Sequence, residues 1–166
     1  MEERLRTITR TAAFVALITA GGWISLPFFP VPLTMQTLFV LLSGAVMKRK
    51  GVIPVGLYIA LGAVGLPLFH NGAAGPGLLL GPTGGYLIGF IAAAYIVGAL
   101  YEKAGEKCHL AGIALGTVAI YLCGYSWLVV STGMNLWLAL VTGVLPFIPG
   151  DAVKAYATYL IEKRLR

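Results

Sequence analysis

The sequence predicts an all-α integral membrane protein with six transmembrane helices, on three observations. Apolar residues make up 58% of the chain and charged ones only 11%, too little charge for a water-soluble domain of 166 residues. Three charge-free runs, Thr11 to Met47, Gly51 to Tyr101 and Cys108 to Gly150, are each long enough for more than one crossing at about 20 residues per span. Proline, glycine and charge then cut those runs into helix-sized pieces. The chain reads as one membrane domain over residues 1–166, a multi-pass protein of the plasma membrane.

Helix one, Ile8 to Leu26, follows a charged start and runs on into apolar sequence without a polar cleavage region, so it reads as a first span rather than a signal peptide. Helix two, Thr34 to Met47, opens after Pro27, Pro30 and Pro32 and stops at Lys48-Arg49-Lys50. Helix three runs from Gly51 to Leu66, helix four from Thr83 to Tyr101, helix five from His109 to Ser131 and helix six from Gly150 to Ile161. The apolar stretch Met134 to Leu145 is expected to form a helical turn or two of its own, not a seventh span. Helices two, three and six are short: 14 residues rise about 21 Å at 1.5 Å each, against a hydrocarbon core of about 30 Å. Short helices leave room for a cavity capped by loops.

The cations set the orientation. Arg4, Arg6 and Arg10 precede helix one, Lys48, Arg49 and Lys50 follow helix two, Lys103 and Lys107 follow helix four, and Lys163, Arg164 and Arg166 follow helix six. Eleven of the twelve basic residues thus share a face, which places both termini in the cytoplasm. The formal charge of +6 is a topology signal, with no basic groove interleaved with aromatics to suggest nucleic acid. Cys108 and Cys123 are separated by fifteen residues of helix, about 22 Å, so no disulfide is expected. His70 and His109 fall on opposite faces, so neither a metal site nor a bound cofactor is expected. There is no internal repeat of the transporter kind and no phosphate-binding G-x-x-x-x-G-K-[ST] loop, so if the chain pumps, another protein supplies the energy.

The unusual chemistry collects at the outer face. Asp151 and Lys154 stand three residues apart in the last apolar helix, where an ionised side chain costs about 2.5–3.5 kcal/mol at a helix centre and usually serves a ligand. A stiff proline loop delivers Thr34 and Gln36, and a glycine-rich loop from Pro67 to Pro82 carries His70 and Asn71 and closes into Gly81-Pro82-Thr83-Gly84-Gly85-Tyr86. The expected pocket therefore lies near the outer face, capped by loops 1-2 and 3-4 and the start of helix six, with Asp151, Lys154, Gln36, Asn71, Thr83 and Tyr86 as ligand-binding residues. One carboxylate and one ammonium with neutral donors suit a small guest bearing N–H groups and an anion. The plain alternative makes Asp151 a helix N-cap and Lys154 its neutralising or snorkelling neighbour.

Four segments resemble the successive signatures of the BioY family, the biotin-binding S components of energy-coupling factor (ECF) importers: Val31-Pro32-Leu33-Thr34-Met35-Gln36-Thr37-Leu38, Gly62-Ala63-Val64-Gly65-Leu66-Pro67, Gly81-Pro82-Thr83-Gly84-Gly85-Tyr86-Leu87, and Leu145-Pro146-Phe147-Ile148-Pro149-Gly150-Asp151-Ala152-Val153-Lys154. The resemblance implies high-affinity capture of biotin, with a transmembrane coupling (T) component and ATPase subunits as partners. It assigns Asp151 to the ureido ring and Lys154 to the valerate carboxylate, with Lys154 the sole buried cation because helix four carries none. In that family a strip of small residues on helix one docks the coupling protein, which here corresponds to Ala12, Ala16 and Ala20.

Two other functions compete. A membrane-embedded enzyme would need a second acid, a metal or a nucleophile near Asp151, and the outer rim has no other carboxylate and no cysteine, so no residue is assigned as catalytic. A proton-coupled or stand-alone carrier of small molecules would use the carboxylate as a relay and give flux from this chain alone.

Overall fold

A computed structural model describes residues 1–103 and 108–165. Lys107 and Arg166, two of the cations in the orientation argument, lie outside the described residues. The chain is mostly helical: α1 Glu2–Trp23, α2 Gln36–Met47, α3 Val52–Ala63, α4 Gly77–Leu80, α5 Gly84–Lys103, α6 His109–Thr132, α7 Leu136–Gly143 and α8 Ile148–Leu165. The six expected helices correspond to α1, α2, α3, α5, α6 and α8, with ends displaced for local reasons.

Helix α1 starts six residues early, its first turn carrying Glu2 and Glu3 at the positive end of the helix dipole. It stops at Trp23 because Ser25–Leu26 (β1) pairs antiparallel with Leu33–Thr34 (β2), a two-strand ladder that an all-helical expectation omits. The ladder, in register Ser25 to Thr34 and Leu26 to Leu33, fastens the neck of the proline loop. Helix α8 starts at Ile148 rather than Gly150, with Pro149 in the first turn, where its missing N–H breaks no helical bond. The apolar stretch before it forms α7, capped by the Asn135 side chain, which accepts from Leu138 N–H at 2.7 Å.

Among the described residues, α5 and α6 are each long and apolar enough to cross a membrane alone, and α7 with α8, bent by 48°, adds a third if taken as one span. Helices α2 and α3 have 12 residues each, or about 18 Å. Helix α5 packs in the centre against α2, α3 and α6. Its approach to α6 depends on Gly85 and Gly89: a Cβ would fall 2.1 Å from Trp127 Cβ at the first and 2.9 Å from Ile120 Cα at the second. The outer surface of α6 stays apolar, with Leu115, Leu122 and Val130 exposed, a face made for lipid rather than water.

The ends of the bundle differ in chemistry. Lys50 pairs with Glu3 at 2.8 Å, Arg49 with Glu102 at 3.1 Å, and His109 stacks on Tyr101 beside Glu162. These contacts gather the start of α1, the α2–α3 turn, the end of α5, the start of α6 and the end of α8 at one pole. The proline loop, the glycine-rich loop and the start of α8 meet at the other.

Candidate ligand pocket

At that second pole the loops enclose a cavity, with about 590 Å³ of empty space when the open solvent at its mouth is included. Val31, Pro32 and Thr34 come from the proline loop, Gln36 and Thr37 from α2, Tyr58 from α3, Phe69, His70, Leu78 and Thr83 from the glycine-rich loop. Helix α5 gives Tyr86, Leu87 and Phe90, α6 gives Ile120 and Tyr121, and the last stretch gives Phe147, Asp151 and Lys154. The wall is therefore aromatic and aliphatic, with polar groups at a few points.

Asp151 is only 2% exposed. Its Oδ1 accepts from Thr37 Oγ1 at 3.0 Å and Lys154 Nζ at 2.8 Å, and its Oδ2 accepts from the Tyr121 hydroxyl at 2.7 Å. Its own N–H donates to Phe147 O at 2.8 Å, so it lies inside the helix, and its carboxylate is held by side chains of α2, α6 and α8 rather than by first-turn N–H groups. The N-cap account is replaced by a cross-bundle anchor. Lys154 does not snorkel: its Nζ also donates to Thr34 O at 2.6 Å, and the side chain is 12% exposed.

A buried ion pair is tolerated only when its remaining donors and acceptors are met. A carboxylate offers about four acceptor positions and an ammonium three donors. Asp151 uses three of its positions and Lys154 two of its donors. By that count one acceptor position, on Oδ2, and one Lys154 donor are left, and both residues line the cavity.

Of the residues expected from the sequence to bind a ligand, Gln36, Thr83, Tyr86, Asp151 and Lys154 are among those lining this cavity, and Asn71 is not. The Gln36 amide N–H donates to the Tyr58 hydroxyl and its Oε1 accepts from Thr34 at 3.2 Å. The Tyr86 hydroxyl is spent on Gly143 O at 2.6 Å, which leaves its ring, 6.4 Å from that of Phe147, as the pocket surface. Thr83 Oγ1 donates to Leu78 O at 3.4 Å. Asn71 adopts φ 56° and ties the loop to helix α1's end by accepting from Ser25 Oγ.

Four wall residues with polar groups are not among the ligand-binding residues expected from the sequence, although His70 is placed there in the outer glycine-rich loop. Thr37 and Tyr121, which hold Asp151, sit 114 and 30 residues from it, and only the fold joins them. Tyr58 lies flat in an apolar run. His70 is the fourth: both ring nitrogens are buried and neither has a hydrogen-bond partner. Burial pushes its pKa below the ordinary histidine value, and a buried polar group left unpaired costs about 1–3 kcal/mol.

On the other flank of the fold, Ala12, Ala16 and Ala20 are exposed along α1 and, with Val15, Trp23, Leu57, Leu61 and Leu68, floor an open apolar groove between α1 and α3. Both cysteines are free, and among the described residues no three His, Cys, Asp or Glu side chains gather as metal ligands.

A sequence model of the BioY family matches residues 1–166. The chain belongs to the BioY family. The biotin transporter BioY of Thermotoga maritima is 40% identical over 98% of this chain and 96% of its own length. The probable biotin transporter BioY of Pyrococcus horikoshii is also 40% identical, over 98% of each chain. A solved structure, that of the S-component for biotin from an ECF-type ABC transporter, superposes with a TM-score of 0.89 at 30% identity, covering 99% of this chain and 93% of that one. The apolar exterior of α6 and the charged pole are therefore features of a membrane transporter.

Proposed function

We propose that this chain captures biotin in the pocket and serves as the substrate-binding S subunit of an ECF-type importer. The observation that carries the proposal is the unfilled donor and acceptor of the Asp151–Lys154 pair, opening into a ring-lined cavity on the fold of a biotin S-component. A ureido group presents an N–H beside a C=O, and it satisfies both open positions at once. Because Nζ and Oδ1 are 2.8 Å apart, the two side chains act at one end of the guest, so Lys154 moves from the valerate carboxylate to the ureido oxygen. Rings such as Tyr58, Phe69 and Phe90 then cover the bicycle.

In this proposal the six helices α1, α2, α3, α5, α6 and α8 span the membrane, the charged pole and both termini face the cytoplasm, and the pocket opens outward. The alanine groove on α1 receives the transmembrane coupling component, and ATPase subunits supply the energy. Ala16→Leu, which fills that groove, is expected to abolish biotin uptake by cells carrying the whole importer while leaving titration with biotin unchanged.

The decisive test is purification from biotin-replete cells followed by mass spectrometry of the retained small molecule. No bound vitamin, together with no heat on titrating the emptied protein with biotin, would sink the proposal. A proton-coupled carrier is disfavoured because Asp151 is tied to a cation and two hydroxyls and no second carboxylate is among the residues lining the cavity to pass a proton on.

A further inference from the structure

The backbone around His70 is fixed on both sides. Phe69 before it is 1% exposed, its ring edge-on to Tyr58 at 5.5 Å, and its N–H and C=O are taken by Ala73 O at 3.0 Å and Gly72 N–H at 3.1 Å. The following residue, Asn71, holds a left-handed conformation and is tied to Ser25. The imidazole is therefore a built part of the cavity wall. The residue lines the cavity, and its two ring nitrogens are buried with no hydrogen-bond partner in the protein.

A row of contacts gives its place relative to the ion pair. Phe69 lies against Tyr58, the Tyr58 hydroxyl meets Gln36, and Gln36 adjoins Thr37, which holds Asp151. The rings of Phe69, the neighbour of His70 in the chain, and of Tyr58 thus belong to the contact path that leads from this loop to Asp151. The lining thus holds His70 as well as the Asp151–Lys154 pair, with aromatic and aliphatic side chains among the rest, chemistry that suits a molecule with a ureido head, a hydrocarbon chain and a carboxylate tail.

We propose that His70 is the second polar anchor of the pocket and donates a ring N–H to the anionic tail of the guest, while Asp151 and Lys154 grip its head. This rests on the biotin assignment and deepens it. Asn71, whose amide oxygen accepts from Ser25, does not line the cavity, and Lys154 is assigned to the head, so the imidazole is the donor that selects for the free carboxylate.

The test titrates full-length wild type, His70→Phe and His70→Ala with biotin and with its uncharged amide, alongside thermal unfolding of each ligand-free protein. His70→Phe is expected to weaken biotin at least about tenfold, which is about 1.4 kcal/mol, with little change for the amide. The ligand-free variant is expected to unfold at the same temperature or higher, because an unpaired polar group has been removed. His70→Ala is expected to show the same charge-selective loss without filling the space. Unchanged biotin affinity in both variants, or equal losses for the two ligands, overturns the role of His70 alone. Wild type that binds neither ligand overturns the biotin assignment and this inference together.

Discussion

Asp151 and Glu162 ride on the same helix, and at 2% and 5% exposure they are about equally buried, yet only Asp151 faces a cavity. Glu162 lies 4.0 Å from His109 Nδ1, and His109 is stacked at 3.8 Å on Tyr101, so this carboxylate closes the packed seam between α5, α6 and α8. Asp151 sits against empty space with an acceptor position unspent. Burying a charge is costly in both places, so burial alone does not mark a ligand site. What marks it is hydrogen-bonding capacity left open toward a void.

The largest effect expected from this contrast is at Asp151. Asp151→Asn leaves Lys154 buried without its counter-charge, and breaking a buried pair costs about 3–5 kcal/mol. Titration is expected to show biotin and biotin amide weakened alike, by about a hundredfold or more, with a lower unfolding temperature. Retained affinity would mean that the pair is a structural tie and that the contrast with Glu162 is empty.

Lys154→Met comes next. With Lys154 assigned to the ureido oxygen, the loss is expected to be equal for biotin and its amide, since both keep the ureido head. The family resemblance points the other way, with Lys154 on the valerate carboxylate. A loss confined to biotin would restore that assignment and remove the need for His70 at the tail.

How far each carboxylate was legible in the sequence follows from its neighbours. Asp151 stands out because Leu145 to Lys154 is otherwise apolar and proline-broken. Glu162 is followed by Lys163 and Arg164 and reads as part of a solvated terminal cluster, although its side chain turns into the bundle. Most helix boundaries were readable within a few residues because proline, glycine and charge punctuate them, the start of α1 at Glu2 rather than Ile8 being the widest miss. Other exceptions were set by tertiary contacts, as where the Ser25–Thr34 pairing ends α1. Thr37 and Tyr121 were hidden for the same reason, and His70 because an unpartnered nitrogen is a property of a packed wall, with no sequence signature.

A smaller effect is expected from Tyr121→Phe, which removes the hydroxyl on Oδ2 and keeps the ring. A hydrogen bond to a charged group contributes about 1.5–3 kcal/mol. Part of that loss falls on the ligand-free protein, so biotin is expected to weaken by only about tenfold while the unfolding temperature also drops. If affinity rises instead, the freed position on Asp151 is taken by the guest, and Tyr121 competes with the ligand rather than aiming the carboxylate at it.

Least of all is expected at the binding site from Glu162→Gln. The amide keeps an acceptor toward His109 and removes a buried charge, so the seam between α6 and α8 is altered while the pocket at the far end of α8 is untouched. Titration with biotin is expected to stay within about threefold of wild type, well under the 1.4 kcal/mol of a tenfold change, whatever happens to the unfolding temperature. A large loss of affinity would show that α8 transmits a change from its charged end to Asp151, and the two carboxylates would then belong to one coupled device rather than to separate jobs on a shared helix.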